Sequence, residues 1–183
     1  MKQPKQIDTK AIFGPCRLCY VSLLERKKFD GDTGDGKYQC NILIPKNETE
    51  TINAIKAAIK AATDKGVAGK WGGKMPRKLA ESPLRDGDEK EDPTFHGHWY
   101  INAKSNQRPA VIDRNREPIT DPEDIYSGVW AMCSVSFFPY GTGGNNGIGA
   151  GLNTIMKHKD GDRIGGGDST HDFDGYDDDD DDL

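Results

Sequence analysis

Three groups of residues in this 183-residue chain have types and spacings that could do chemistry, and each falls short. Cys16-Arg17-Leu18-Cys19 is one C-x-x-C pair, and His96-Gly97-His98 could complete a four-ligand zinc site, but the other spacings match no common zinc module. Asp30, Asp32 and Asp35 imitate a calcium loop. Gly34 and Asp35 then stand where Asp or Asn and the required Gly belong, and Asn41 replaces the bidentate Glu, so a hairpin turn is expected instead. Gly141 to Gly151 holds six glycines, yet no Gly-Lys-Ser/Thr follows and no frame gives G-x-G-x-x-G; a flexible turn is expected. No nucleophile, base and orienting group stand at a recognisable spacing, so neither catalysis nor a cofactor or metal is expected.

Basic and aromatic residues occur together. Single-stranded nucleic acid is held without sequence preference by a cationic groove and by aromatic faces on which bases stack. Arg26, Lys27 and Lys28 form one basic cluster, and Lys70, Lys74, Arg77, Lys78 and Arg85 follow along a second stretch that includes Trp71. Trp71, in a segment rich in Gly and Lys, is either a plug over one end of a barrel or a stacking platform. Trp99 and Tyr100 are adjacent in a strand and so face opposite sides, one core and the other exposed. Phe137 and Phe138 pose the same choice, as do Tyr20 and Tyr38.

Charge is unevenly distributed. Residues 160–183 carry 11 Asp and one Arg, a charge of −10, while residues 1–159 carry 24 basic and 19 acidic residues, +5. The like-charge block repels itself and buries nothing, which reads as a disordered tail. A polyanion tethered to a basic body competes with any other polyanion for that surface, at an effective concentration of order millimolar. No apolar run approaches a membrane span or a signal-peptide core, so a soluble, intracellular protein with reduced thiols is expected.

Positioning these residues requires a framework rich in strands. Arg17 to Arg26 fits a strand, Asp30 to Gly36 a turn, and Lys37 to Pro45 a second strand. Asn47 and Glu50 have the spacing of a helix start, and Ile52, Ile55, Ile59 and Ala62 follow at helical intervals until Gly66. Lys65 to Pro93 reads as a long loop. Strand character returns at His98 to Ala103, Ala110 to Asp113 and Gly128 to Tyr140, and a last short ordered element is expected around Leu152, Ile155 and Met156. Helices do not recur between strands, which favours an all-β antiparallel barrel with one inserted helix over any βαβ sheet.

The chain resembles the bacteriophage single-stranded DNA-binding proteins, related in plan to the acidic-tailed proteins of podoviruses. The residues that carry the resemblance are Gly14-Pro15-x-Arg17-Leu18-x-Tyr20, Lys37-Tyr38 with Ile42-Leu43-Ile44-Pro45-Lys46, and Pro83-Leu84-Arg85-Asp86-Gly87-Asp88. Tyr126-Ser127-Gly128, Phe137-Phe138-Pro139-Tyr140, and Gly147-Ile148 to Gly151-Leu152 before Asp160-Gly161 complete the set, over about residues 12 to 166. The resemblance implies an oligonucleotide/oligosaccharide-binding (OB) fold, a five-stranded Greek-key barrel whose strand face and loops take up nucleic acid. It also implies a role in phage DNA replication and recombination in the cytoplasm of the infected bacterial host. The tail would contact replication proteins (polymerase, helicase or primase) and shield the DNA site when DNA is absent.

The expected organisation is therefore a flexible N-terminus over residues 1–10, an OB domain over 11–160 and a disordered acidic tail over 161–183, with a homodimer allowed. Phosphates would be met by Arg17, Lys27, Lys28, Lys37, Lys74, Arg77, Lys78, Arg85 and Lys104, and bases by some of Tyr20, Tyr38, Trp71, Trp99 and Tyr140. The partner-binding part of the tail would comprise Phe173, Tyr176, Asp177, Asp178, Asp179, Asp180, Asp181, Asp182 and Leu183, an aliphatic end where relatives commonly carry an aromatic one. Two other readings compete: an adaptor or DNA mimic whose acidic tail is itself the ligand, and a metal-dependent nuclease using the Asp-rich segments. Neither explains a basic body that carries aromatics.

Overall fold

The computed structural model describes residues 1–28 and 34–164. Eight strands and one long helix follow in the order β1 (Lys5–Ile7), β2 (Lys10–Lys27), β3 (Lys37–Pro45), α1 (Thr49–Lys65), β4 (Leu84–Asp86), β5 (His98–Ser105), β6 (Ala110–Ile112), β7 (Trp130–Thr142) and β8 (Asn145–Lys159). The long strands close on themselves. β2 pairs antiparallel with β3 and β7, β3 with β5, and β7 with β8; a parallel contact between Lys104 of β5 and Gly151 of β8 completes the circuit. This is the five-stranded OB barrel, with the helix inserted between its second and third strands.

The core follows from alternation along the strands. Cys40, Ile42 and Ile44 of β3, Ile101 and Ala103 of β5, and Ala131, Cys133, Val135 and Phe137 of β7 point inward, and their neighbours point out. One face of α1 adds Ile52, Ile55, Ala58 and Ala62 to the same cluster, each buried isoleucine contributing ~1.5–3 kcal/mol. The capping box expected at Asn47 and Glu50 does not form: the helix starts one residue later, with Glu48 at the N-cap and no side-chain cap bond.

β3 has the bounds that its alternation predicts, but several other elements differ from expectation. β2 begins seven residues before Arg17, running through a cis Gly14–Pro15 bond and a register shift between Phe13 and Cys16. The flexible lead-in expected over residues 1–10 carries β1, which pairs with the start of β2, while the Met1 ammonium lies 3.9 Å from Glu48. The long loop over 65–93 contains a π-helical turn at Gly66–Lys70, β4 on the edge of β5, and 3-10 turns at Gly87–Glu89 and Pro93–Phe95.

The largest difference is at Gly141 to Gly151, expected as a flexible turn followed by a short element. It is a β-hairpin with a two-residue turn at Gly143 and Gly144, both at positive φ, leading into the 15-residue β8. Among the described residues no helix is long and apolar enough to cross a membrane. The centre of the expected Asp30 to Gly36 turn and the tail residues Phe173, Tyr176, Asp177 to Asp182 and Leu183 lie outside the described residues.

Candidate nucleic-acid interface

Glycines at alternate positions of β8 create the site. Gly147, Gly149 and Gly151 face outward, while Ala150 and Leu152 face the core. Their register partners on β7 are Tyr140, Phe138 and Ser136. The two rings fill the space that side chains on β8 would occupy: a methyl group built at Gly147 would sit 2.5 Å from the Tyr140 hydroxyl, and one at Gly149 would sit 2.5 Å from the tip of the Phe138 ring. Aromatics laid over strand glycines cover backbone that would otherwise be bare. Phe138 is nonetheless 48% exposed. The sheet thus presents an aromatic surface to solvent, on a hairpin closed by a two-residue turn.

That surface forms one side of an open cleft of about 960 Å³. Lys37 from β3, Asn102 and Lys104 from β5, and Arg85 from β4 line it with Phe138 and Tyr140. The acidic residue in the lining is Glu81, which is paired with Arg85, so three cations face one carboxylate. The segment before β4 forms the remaining wall, where the Ala80 amide donates to the Asn146 carbonyl at 2.8 Å. Cations beside exposed aromatic faces are the arrangement that holds a single strand by its phosphates and stacks its bases.

Of the residues singled out in the sequence, Lys37, Arg85, Lys104 and Tyr140 therefore meet in one place. Lys27 stands opposite Lys37 in the β2–β3 register, and Lys28 follows it into the adjoining loop. Lys74, Arg77 and Lys78 are on the segment that leads to the cleft wall. Trp71 backs the hairpin from behind. Its indole N–H donates to the Tyr140 carbonyl at 3.1 Å, and its ring occupies the space over Gly66.

Four of the expected residues have other surroundings. Trp99 is on the inward side of β5, against the main core, with the Lys46 and Lys56 ammonium groups 5.3 and 5.8 Å from its ring centroid. Tyr100 is its outward neighbour but is buried under Phe95. Tyr38 shares the inward parity of Cys40 and lies beneath Arg26, 5.5 Å from the ring centroid. A hydrogen bond from Arg108, with Arg26 adding to it, lowers its phenol pKa below the ordinary value. Arg17 is a clamp: its guanidinium donates to the carbonyls of Gly128 at 3.3 Å and Asp162 at 2.5 Å. Tyr20 lies on the outer face, stacked on Phe95.

Phe138 and Asn102 line the cleft although sequence reasoning did not assign them to it. The signal for Phe138 was its pairing with Gly149, legible only once β8 is known to be a strand. The C-x-x-C pair is split between two clusters, Cys16 in the barrel core and Cys19 in a small outer group with Leu43, Phe95 and Tyr100. Burial raises both thiol pKa values, that of Cys19 to about 12. Among the described residues no group of three or more His, Cys, Asp or Glu could hold a metal ion.

Known proteins share both the sequence and the architecture. Putative protein p50 of Acyrthosiphon pisum secondary endosymbiont phage 1 is 38% identical over 160 residues, covering 82% of this chain and 84% of its own length. The single-stranded DNA-binding protein of bacteriophage Enc34, solved in complex with single-stranded DNA, superposes with a TM-score of 0.74 at 24% identity, over 88% of this chain and 96% of that one. A second structure of the Enc34 protein gives 0.70 at 26% identity, over 94% and 97%. For gp2.5, a single-stranded DNA-binding protein encoded by bacteriophage T7, the TM-score is 0.54 at 16% identity, over 85% and 98%. The family described as Enterobacter phage Enc34, ssDNA-binding protein, matches residues 9–183, and this chain belongs to it.

Proposed function

We propose that the protein binds single-stranded DNA without sequence preference in the cleft between the β7–β8 hairpin and β3, β4 and β5. Phe138 and Tyr140 take bases on their exposed faces; Lys37, Lys104 and Arg85 meet phosphates. The observation that carries this reading is the pair of rings seated over Gly147 and Gly149 beside three cations. Stacking is indifferent to base identity because every base has a π-face. The protein acts by binding rather than by catalysis and needs no cofactor.

The acidic tail completes the proposal. It competes with DNA for the basic face, and in phage replication and recombination in the host cytoplasm it also contacts replication proteins such as a polymerase, helicase or primase. Trp71, bonded to the Tyr140 carbonyl, lies close enough to the cleft to report occupancy. Titrating tryptophan fluorescence with oligo-dT is the test: saturable quenching in the wild type, weakened by Phe138→Ala, is the expected result. No quenching, with no gel shift, would sink the proposal and favour the adaptor reading, in which the tail is the ligand.

A further inference from the structure

The outer face of the barrel carries a second aromatic assembly, further along the strands from the cleft. Phe95, delivered by the 3-10 turn at Pro93–Phe95, packs with Cys19, Leu43 and Tyr100 and meets the Tyr100 ring edge-on, centroids 5.0 Å apart at 75°. Tyr20 lies on its other side, centroid 6.0 Å away and nearly parallel at 26°. Phe95 and Tyr100 are buried, whereas Tyr20 is 54% exposed. The Lys90 ammonium lies 5.2 and 5.4 Å from the Phe95 and Tyr100 ring centroids.

Tyr20 is held where it is in two ways. Its φ is 49°, a left-handed backbone that residues with a β-carbon seldom adopt, at the register shift between Cys19 and Ser22. Its hydroxyl donates to Asp92 Oδ2 at 3.0 Å, and Asp92 is itself fixed by the Thr94 amide at 2.9 Å. A ring that served only to cover Phe95 would need neither a strained backbone nor an anchored hydroxyl, and such strain concentrates where a side chain is displayed for binding.

Geometry connects this ring to the cleft. Tyr100 and Lys104 share the outer face of β5, four residues or ~13 Å apart. Between them stand Asn102, which also lines the cleft, and its β3 partner Asn41. The geometry points to the exposed face of Tyr20, backed by Phe95, as a second base-stacking site, occupied by an unpaired base of the same DNA strand whose other nucleotides fill the cleft. Lys90 is the cation for the adjoining phosphate. The inference rests on the cleft being the primary site, and it predicts that affinity grows with oligonucleotide length until the strand spans both.

The experiment measures oligo-dT affinity across lengths from about 4 to 16 nucleotides, the range of OB-fold site sizes, for wild type, Tyr20→Ala, Tyr20→Phe and Phe138→Ala. Tyr20→Ala is expected to bind the shortest oligonucleotides as wild type does and to bind the longer ones roughly ten-fold more weakly, as removal of one stacked base would do. Tyr20→Phe, which keeps the ring and loses the bond to Asp92, should retain most of the gain with length. Phe138→Ala should be weak at every length. Iododeoxyuridine placed along the longer oligonucleotide should photocross-link to Tyr20 from a position distinct from the one that reaches Tyr140. Full length dependence in Tyr20→Ala, with no cross-link at Tyr20, would overturn the second site while leaving the cleft standing. Failure of wild type to bind any length would overturn both.

Discussion

The ring of Phe138 lies over Gly149, its register partner across β7 and β8, in the space that any β-carbon there would need. Gly151 extends the bare strip, with the ring 3.5 Å from where its β-carbon would be. The exposure of Phe138 is thus built in: the strand beneath it is stripped of side chains so that a large ring can lie across the sheet surface and keep one side in water. The glycines of β8 are there for Phe138 and Tyr140, not for a flexible loop.

Gly149→Ala should therefore weaken DNA binding by displacing Phe138. The effect expected is up to the ~1–3 kcal/mol of one stacked base, equal for all DNA sequences. Gly149 is not at positive φ, so fold stability should change little. Fluorescence anisotropy with a labelled oligo-dT, and a thermal melt beside it, make the check. In the Phe138→Ala background the same substitution should cost almost nothing further, because the two residues act through one shared packing arrangement.

Lys37 and Lys104 face the cleft and form no ion pair with a carboxylate among the described residues, which suits them to phosphate. Lys37→Ala or Lys104→Ala should lower affinity for all sequences alike. Each should also flatten the dependence of log K on log salt by about 0.7, the slope that one phosphate neutralised on a single strand contributes. An unchanged slope with wild-type affinity would remove that lysine from the interface.

Much of the barrel could be read from alternation, and the reasons for the misses are specific. β3 showed itself because Cys40, Ile42 and Ile44 alternate with Gln39, Asn41 and Leu43 and no glycine intervenes. β8 did not, since its glycines mimic turn chemistry until the aromatic partners across the hairpin are known. Trp99 and Tyr100 were certain to point opposite ways, but strand parity does not say which side is core. Phe95, arriving from a 3-10 turn with no periodic signal, buries Tyr100 from outside and so settles it. Arg17 looked like a phosphate ligand because sequence shows a charge but not the carbonyl groups of Gly128 and Asp162 that occupy it.

Gly128 holds the end of the barrel. Its φ is +113°, and a β-carbon there would collide with the Asp162 carbonyl, the same group that accepts from Arg17. Gly128→Ala should destabilise the fold by of order 1–3 kcal/mol and free residues 160–164 from Arg17, Tyr126 and Ser127. A lowered melting temperature and new protease cleavage within this segment would register it. Retention of wild-type melting and protection would refute this role for Gly128.

Asp160 gives the same segment a pH dependence. It accepts from Lys157 and from the Tyr126 hydroxyl, each at 2.8 Å, and these bonds hold its pKa below the ordinary carboxylate value. A folded pKa depressed in this way stabilises above the unfolded value of ~3.9, and that stabilisation is lost as pH falls through the folded pKa. Wild-type melting temperature should drop more steeply than that of Asp160→Asn as pH is lowered from about 5 to 3. Parallel curves would show that the interaction does not bear on stability.

The placement of Ile164, the last described residue, decides how the proposed competition by the tail should be tested. The Ile164 amide donates to the Ser127 carbonyl at 2.9 Å, and its side chain packs on the cluster of Cys19, Leu43, Phe95 and Tyr100. Ile164 thus rests on the cluster that backs Tyr20, and nine Asp follow it in the sequence over residues 165–183. A truncation after Lys159 would also remove the partners of Arg17 and Tyr126, confounding loss of the tail with damage to the barrel. Truncation after Ile164 isolates the polyanion. It should tighten binding to oligo-dT at low salt, and the advantage should shrink as salt screens the tethered charges, the Debye length falling from about 30 Å at 0.01 M to about 8 Å at 0.15 M. Because Ile164 lies on the cluster that backs Tyr20, the gain should be larger for oligonucleotides long enough to reach that ring than for those confined to the cleft. Equal affinity of the two proteins at every salt concentration and length would reduce the tail to a tether for partners.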